Sequence, residues 1–156
     1  MTKFLLSLHV LAAVLTVGPV TVAASMFPRF LRHALGSPGD GPALASLSTL
    51  HRICRVYAGI GVAVPLFGFA TASSLGVLGS AWLIVSIVLT TAAAAVLALW
   101  ILPAQETALA GVEERAEAVA DSPLPRRLAM LTGVFNLLWA TVTVLMIIRP
   151  GSTTGA

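Results

Sequence analysis

Three histidines and a single cysteine are the side chains of this 156-residue chain best suited to bind a metal or carry a proton. His51 and Cys54 stand three residues apart, which places both on one side of a helix in a geometry that can hold a soft metal ion. A closed zinc site takes four ligands, and His33 is the only obvious third one. We therefore expect histidines solvated among arginines here, and no metal centre. A lone cysteine also excludes a disulfide within the chain.

His9 differs from the other histidines because it lies inside a long uncharged run that begins at Phe4. An ionisable side chain within a membrane helix indicates a functional residue by default. The alternative is an uncharged imidazole hydrogen-bonded to hydroxyl groups of neighbouring helices. Depth counted along the runs places Thr71, Ser86 and Thr143 level with His9. We predict that His9 faces the bundle interior beside Thr143.

The composition indicates the environment in which these residues must lie. Hydrophobic residues make up 58% of the chain and charged residues 10%, with a mean hydropathy of +0.98, whereas soluble domains are about 45–50% apolar and about 25% charged. This excludes a soluble globular domain, and it also excludes a disordered chain. Nine Lys and Arg against six Asp and Glu leave too small an excess for a nucleic-acid-binding surface. The sequence predicts an integral membrane protein surrounded by the lipid bilayer.

Uncharged runs predict four membrane crossings, since about 20 apolar residues in a helix span the hydrocarbon core. The predicted transmembrane helices are 4–27, 56–75, 81–102 and 128–148, with Gly76 to Ser80 as the turn between the second and third. They form one membrane domain, residues 1–156. A cleaved signal peptide ending near Ala24 is the alternative for the first run. The apolar character that continues to Phe27 favours the membrane span.

Arginines predict the orientation, because short loops rich in Lys and Arg stay in the cytoplasm. Seven arginines lie in the two long loops, 29–55 and 103–127, whereas the other side carries only Lys3 and Arg149. We therefore place both loops in the cytoplasm and both termini outside. Many arginines and abundant alanine are typical of a GC-rich bacterial genome, so we expect a multi-pass protein of the bacterial inner (cytoplasmic) membrane.

Helices are expected to continue beyond the membrane on the arginine-rich side. Pro42 is well placed to begin a helix that runs through His51 into the second span. After Pro103, the segment 104–120 again has the pattern of a helix. The predicted fold is all-α: an antiparallel four-helix transmembrane bundle with helices extended into the cytoplasm.

Small residues mark the helix faces expected to touch, because close van der Waals contact drives helix association in lipid. They recur at helical spacing on every span, and we expect these stripes to face the bundle interior. The stripes are His9, Ala13, Thr16, Val20 and Ala23 on the first span; Gly61, Pro65, Gly68 and Ala72 on the second; Ser86, Thr90 and Ala94 on the third; and Gly133, Asn136, Ala140 and Thr143 on the fourth.

Two prolines inside the spans predict a role for the one intramembrane asparagine. Pro19 and Pro65 come out at nearly the same depth when residues are counted at about 1.5 Å each. Each leaves free the carbonyl four residues earlier, at Leu15 and Gly61, and such a carbonyl needs a partner in lipid. Asn136 lies at that depth. We predict that its side chain points toward the first or second helix and donates to one of these carbonyls, a structural role, with a ligand or ion contact as the alternative.

Two short motifs resemble those of known proteins. Leu8-His9-Val10-Leu11-Ala12-Ala13-Val14, followed by Gly18-Pro19, and the later Leu102-Pro103-Ala104-Gln105 resemble a family of bacterial four-helix integral membrane proteins, the domain of unknown function 2269 type. The resemblance covers most of the chain. It implies the fold and the membrane location, and it carries no activity.

A more distant resemblance concerns the start and end of the first span. The pattern Leu-His-x-Leu-Ala and the exit Phe27-Pro28-Arg29-Phe30 are similar to the membrane copper-resistance proteins and to the haem-binding membrane protoporphyrinogen oxidases. In the oxidases a first-helix histidine binds haem b and an intramembrane lysine assists. His9 matches the histidine and no residue matches the lysine, so we do not carry the oxidase activity over. Met146 is the candidate second axial ligand, unless His9 of a second chain serves.

The residues and the resemblances together favour a non-enzymatic role. The spans contain no Asp, Glu, Lys or Arg, and thus none of the charged residues of a proton relay. We expect an accessory or assembly subunit of a larger membrane complex, in contact with other membrane proteins or with copies of itself. One alternative is a haem b or metal binding protein that uses His9. The other is a small transporter or permeability factor.

Overall fold

The computed structural model describes residues 1–37, 39–114 and 123–151. The helices of this part are α1 (Thr2–Gly36), α2 (Gly41–Ile60), α3 (Ala63–Leu75), α4 (Ala81–Ala95), a π-helical segment (Val96–Ile101), α5 (Leu102–Glu113) and α6 (Leu124–Ile148). They join into four spans that are long and apolar enough to cross a membrane, namely Thr2–Gly36, Gly41–Leu75, Ala81–Glu113 and Leu124–Ile148. The predicted all-α four-helix bundle is confirmed, and the chain is a multi-pass membrane protein.

The helices continue past the charges that limit the predicted spans. α1 reaches Gly36, beyond the predicted end at Phe27, and α6 begins at Leu124 instead of Leu128. Arginine is excluded from lipid but is a good helix former, so a charge ends the span without ending the helix. α1 has 35 residues, which is about 50 Å of helix against a hydrocarbon core of about 30 Å. The helices therefore project from the membrane.

The projecting end is called the arginine-rich end, since Arg29, Arg52 and Arg127 lie there. α1, α2, α5 and the start of α6 pack around a buried apolar core at this end, formed by Phe27, Leu31, Ala34, Ala43, Leu47, Ala108 and Leu128. The predicted helix 104–120 is present as far as Glu113, and residues 115–122 lie outside the described part. The helical extension is thus a packed unit continuous with the spans.

The second span is broken where Pro65 lies close to its middle. α2 ends at Ile60 and α3 begins at Ala63, with a turn between them. The carbonyl of Gly61, which Pro65 deprives of its helical donor, accepts instead from the backbone N–H of Val64 at 3.0 Å. The break itself therefore satisfies the carbonyl, and Asn136 has no role there.

The third span passes Pro103 without a break. The turn just before this proline, Val96–Ile101, is π-helical, and α5 follows directly. A proline ring clashes with the carbonyl four residues earlier in a regular helix, and a wider π turn relieves that clash. Pro103 therefore changes the direction of the side chains that follow it, including Gln105.

α1 holds the bundle together. It packs against α2 and α3 along one side and against α6 along another, while α4 and the π-helical segment pack on α6 and α5 packs on α2. The buried face of α1 contains Thr16, Val20 and Ala23, as its stripe of small residues predicts. On the second span Ala72 is buried and Gly68 is partly buried, in agreement with the predicted stripe.

The stripe predicted for the fourth span is wrong. Gly133, Ala140 and Thr143 are exposed on the outside of α6, and the buried residues of this helix are Leu128, Thr132, Phe135 and Val142. The helix is thus rotated by about one residue, or roughly 100°. Large side chains such as Phe135 fill the contact with the third span. The third-span stripe is partly wrong as well, since Ser86 is buried but Ala94 is exposed next to the buried Ala93.

The two prolines do not meet at one depth. His9 of α1 contacts Gly68 of α3, and in this antiparallel register Pro65 lies level with Ala12. Pro19 is about seven residues further along α1, or roughly 10 Å. The predicted alignment counted residues from the ends of the uncharged runs, whereas the helices continue past those ends.

Candidate functional site

The imidazole of His9 is held between α1 and α3. Its Nδ1 lies 2.9 Å from the backbone carbonyl oxygen of Val64. A carbonyl only accepts hydrogen bonds, so Nδ1 carries a proton and donates it. Nε2 makes no hydrogen bond within the described part of the chain. His9 therefore has one nitrogen fixed by the protein and one nitrogen free to accept a proton or bind a metal.

Gly68 provides the space for this ring. A Cβ added to Gly68 would lie 3.0 Å from Cε1 and 3.2 Å from Nδ1 of His9. Such contacts are closer than side chains ordinarily make, so the ring fits because position 68 has no side chain. The histidine and the glycine together set the approach of α1 to α3.

The hydroxyl groups expected around His9 bind elsewhere. Each donates to a carbonyl of its own helix four residues earlier, Thr71 to Phe67, Ser86 to Trp82 and Thr143 to Trp139. Serine and threonine hydroxyls commonly satisfy themselves this way inside helices. The prediction that His9 lies beside Thr143 is wrong, because Thr143 is on the exposed side of α6 and the hydrogen-bond partner of His9 is a backbone carbonyl.

Met146 packs at the end of the bundle that carries Lys3 and Arg149. Its side chain contacts the buried cluster of Ala72, Trp82 and Leu83, and its carbonyl accepts from Nε of Arg149 at 3.2 Å. The guanidinium of Arg149 also lies over the Trp82 ring, 5.8 Å from its centroid. A role for Met146 as a second axial ligand with His9 stays a prediction.

Asn136 makes its contact with α1 at a different level from the predicted one. Its Nδ2 donates to Oγ of Ser25 at 3.1 Å, and its Oδ1 is buried without a partner in the described part of the chain. One turn away, Thr132 donates to the carbonyl of Ala24. Pro19 thus lies too far along α1 for the expected pairing. The two contacts fasten α6 to α1 near the arginine-rich end.

A buried polar network at the arginine-rich end joins α2 to α5. Nδ1 of His51 lies 3.1 Å from Oε1 of Gln105, and Nε2 of Gln105 donates to Sγ of Cys54 at 3.7 Å. Gln105 and Cys54 are fully buried, and His51 is 9% exposed. The expectation of a solvated histidine is therefore wrong for His51, while His33 is exposed. Because the amide nitrogen of Gln105 faces the sulfur, its oxygen accepts and Nδ1 of His51 donates. The Nε2 of His51 then faces outward, 3.7 Å from Oε1 of Glu106.

This network brings together the two residues that the sequence singled out and one that it missed. His51 and Cys54 do share a helix face, but Gln105 occupies the sulfur, and no three His, Cys, Asp or Glu side chains of the described residues form a metal site. In the sequence, Gln105 is marked by its position two residues after Pro103. The direction of its side chain depends on the π-helical turn before that proline, which the sequence does not show. The geometry makes the network a buried connection between helices.

No protein-family model, curated protein or solved structure matches this chain. Its function is therefore inferred from the arrangement of its own residues.

Proposed function

We propose that this chain is a non-enzymatic subunit of a larger membrane assembly, and that α6 contacts the neighbouring membrane protein. The surface concerned is the α6 outer face, formed by Gly133, Leu137, Ala140, Thr141 and Val144. The proposal rests on the observation that the small residues of this face are exposed and point away from the bundle. Helices in lipid associate where small residues allow close approach, so such a face is suited to contact another helix.

The shape of the α6 outer face supports this role. A Cβ added to Gly133 would meet nothing within 4 Å. Beyond it, Leu137, Ala140 and Thr141 line a shallow groove of about 310 Å³ with Val144 and Leu145. Gly133 therefore has no part in the packing of its own bundle, and the groove begins one turn away from it. A second helix requires this kind of surface for close contact.

The polar groups of the spans also favour a binding role over catalysis or transport. The hydroxyls of Thr16, Ser86 and Thr91 donate to carbonyls of their own helices. Side chains paired in this way offer few groups to a substrate or a permeating ion.

Photo-crosslinking in the native membrane tests the proposed contact. A photoreactive phenylalanine analogue at Gly133 meets open space, so it leaves the bundle intact. We expect a protein adduct of discrete mass. The matched control carries the analogue at Val88, which is 60% exposed on α4, and should give only lipid adducts. Lipid adducts alone at both positions would overturn the proposal.

A second candidate function is binding of haem b or a metal ion through His9. The observation that favours it is the tautomer: with Nδ1–H bonded to the Val64 carbonyl, Nε2 keeps its lone pair, as in most histidine ligands. The donor fits one axial position of a haem, which when bound would supply one-electron chemistry. A Soret band in the purified protein that is lost in His9→Ala and kept in His33→Ala supports this function. A spectrum without the band would eliminate haem.

We propose the bacterial inner membrane as the location, with both termini outside. The support is the arginine count of the two long loops against Lys3 and Arg149.

A further inference from the structure

The exposed arginines of the arginine-rich end have no acidic partners among the residues that the structure describes. They are Arg29 and Arg32 on α1, Arg52 and Arg55 on α2, and Arg126 and Arg127 on α6. Within the described residues, the acidic side chains that contact a basic group at this end contact histidines: Oδ2 of Asp40 lies 3.6 Å from Nε2 of His33, and Oε1 of Glu106 lies 3.7 Å from Nε2 of His51. Six guanidinium groups thus project from three helices with their charge uncompensated.

Acidic residues lie mainly at the tip of the extension. Asp40 caps the start of α2 by accepting from the N–H of Ala43, and Glu113 and Glu114 lie where α5 ends. α5 has 12 residues, so its last turn is roughly 16 Å from Leu102, where the uncharged run of the third span ends. Apart from Glu106, which lies one turn beyond Leu102 beside His51, the described carboxylates thus lie farther from the membrane than the arginines do.

Contacts between the helices place four of these arginines close together along the bundle axis. Cys54 packs on Ala23 and Ala24, and Thr132 bonds to Ala24. Arg52, Arg55, Arg29 and Arg127 consequently lie within about two helical turns of one another along the axis. A hydrocarbon core of about 20 residues that begins after Lys3 ends close to Ala24. This count places the level of Ala24 at the headgroup layer of the bilayer.

We propose that these six arginines, the arginine belt, bind the phosphate groups of anionic phospholipids. A guanidinium forms bidentate hydrogen bonds to phosphate, and unpaired guanidiniums at headgroup depth face such groups directly. A membrane surface fits the belt better than an acidic soluble protein does, because a soluble partner approaching along the axis first meets Asp40, Glu113 and Glu114. The inference does not depend on whether the α6 outer face contacts another protein.

Native mass spectrometry of the purified full chain tests the proposal. The protein is released from micelles that contain equal amounts of phosphatidylglycerol and phosphatidylcholine with the same acyl chains, and the ratio of the two bound lipids is measured. We expect at least fivefold enrichment of phosphatidylglycerol on the unmodified protein, since each arginine near an anionic surface contributes about fivefold in affinity. Equal retention of the two lipids overturns the proposal without any variant.

Two single substitutions that each remove one positive charge locate the effect. Arg127→Gln should lower the ratio about fivefold, whereas Lys3→Gln, at the other end of the bundle, should leave it within about twofold. Equal decreases in the two variants would show unspecific attraction and contradict the belt. A third arm adds excess inorganic phosphate. If free phosphate releases the bound lipid at constant ionic strength, the arginines form a phosphate-ion site and the lipid proposal fails.

Discussion

The ring of His9 lies against the backbone of Gly68, so closely that an added Cβ would come within 3.0 Å of Cε1. Gly68→Ala should therefore force α1 and α3 apart and lower the free energy of unfolding by about 1–3 kcal/mol. Thermal unfolding in detergent measures the change. The clash is with the imidazole of His9. The loss of unfolding free energy in the double variant Gly68→Ala/His9→Ala should therefore be smaller than the sum of the losses in the two single variants.

A matched control comes from the other glycine that the sequence placed on a contact face. Gly133→Ala adds the same methyl group in open space and should change the stability by no more than about 0.5 kcal/mol. Equal losses in the two alanine variants would contradict the structural difference between Gly68 and Gly133.

The number and type of the helices could be predicted because lipid imposes simple rules. The run free of charge from Phe4 to Phe27 is long enough to cross a membrane as a helix, and the small residues of α1 and α3 lie where close helix contact needs them. Pro42 likewise predicted the start of a helix that continues into the second span, as α2 does.

The rotation of α6 and the register of α1 could not be predicted in the same way. The outer and inner faces of α6 are both apolar, so the pattern around Gly133 fits either face, and Phe135 decides between them only through its fit with the third span. The direction of Gln105 depends on the π-helical turn before Pro103, which has no signature in composition or charge. These features arise from packing between distant segments.

The buried pair of His51 and Gln105 gives a second prediction. Gln105→Leu leaves the Nδ1–H of His51 without an acceptor and should cost about 1–3 kcal/mol of stability. His51→Leu leaves the amide oxygen of Gln105 unpaired and should also destabilise. The double variant replaces both partners by apolar groups, so it should lose less than the two single losses added together. Thr107→Ala, exposed on the same helix, is the control. Additive losses within about 0.5 kcal/mol would disprove the coupling.

The core of the arginine-rich end gives a third prediction. Leu31 is 0% exposed and Leu11, on the same helix, is 55% exposed. Leu31→Ala should lower the free energy of unfolding by about 2–5 kcal/mol because it leaves a cavity. Leu11→Ala makes the same chemical change where lipid can fill the space, and it should have little effect. The unfolding midpoints of the two variants provide the comparison, and a similar shift in both would mean that the extension is not a packed unit.

The orientation in the membrane is tested by reporter fusions after Ala156. Seven arginines in the two long loops against one lysine and one arginine on the other side predict an external C-terminus. A reporter active only outside the cytoplasm should therefore be functional at this position. Activity of a cytoplasmic reporter there would reverse the orientation and place the arginine belt outside.

The most direct test of the proposed subunit role is the mass of the complex extracted from the native membrane in mild detergent. Light scattering separates the protein mass from the detergent, and a single chain is 16.1 kDa. The unmodified protein should exceed this mass. Gly133→Leu adds a large side chain to the exposed α6 outer face, where an added Cβ meets nothing within 4 Å, so this variant should fall to the single-chain value with an unchanged unfolding temperature. A single-chain mass for the unmodified protein, or an undiminished complex with Gly133→Leu, would contradict the account.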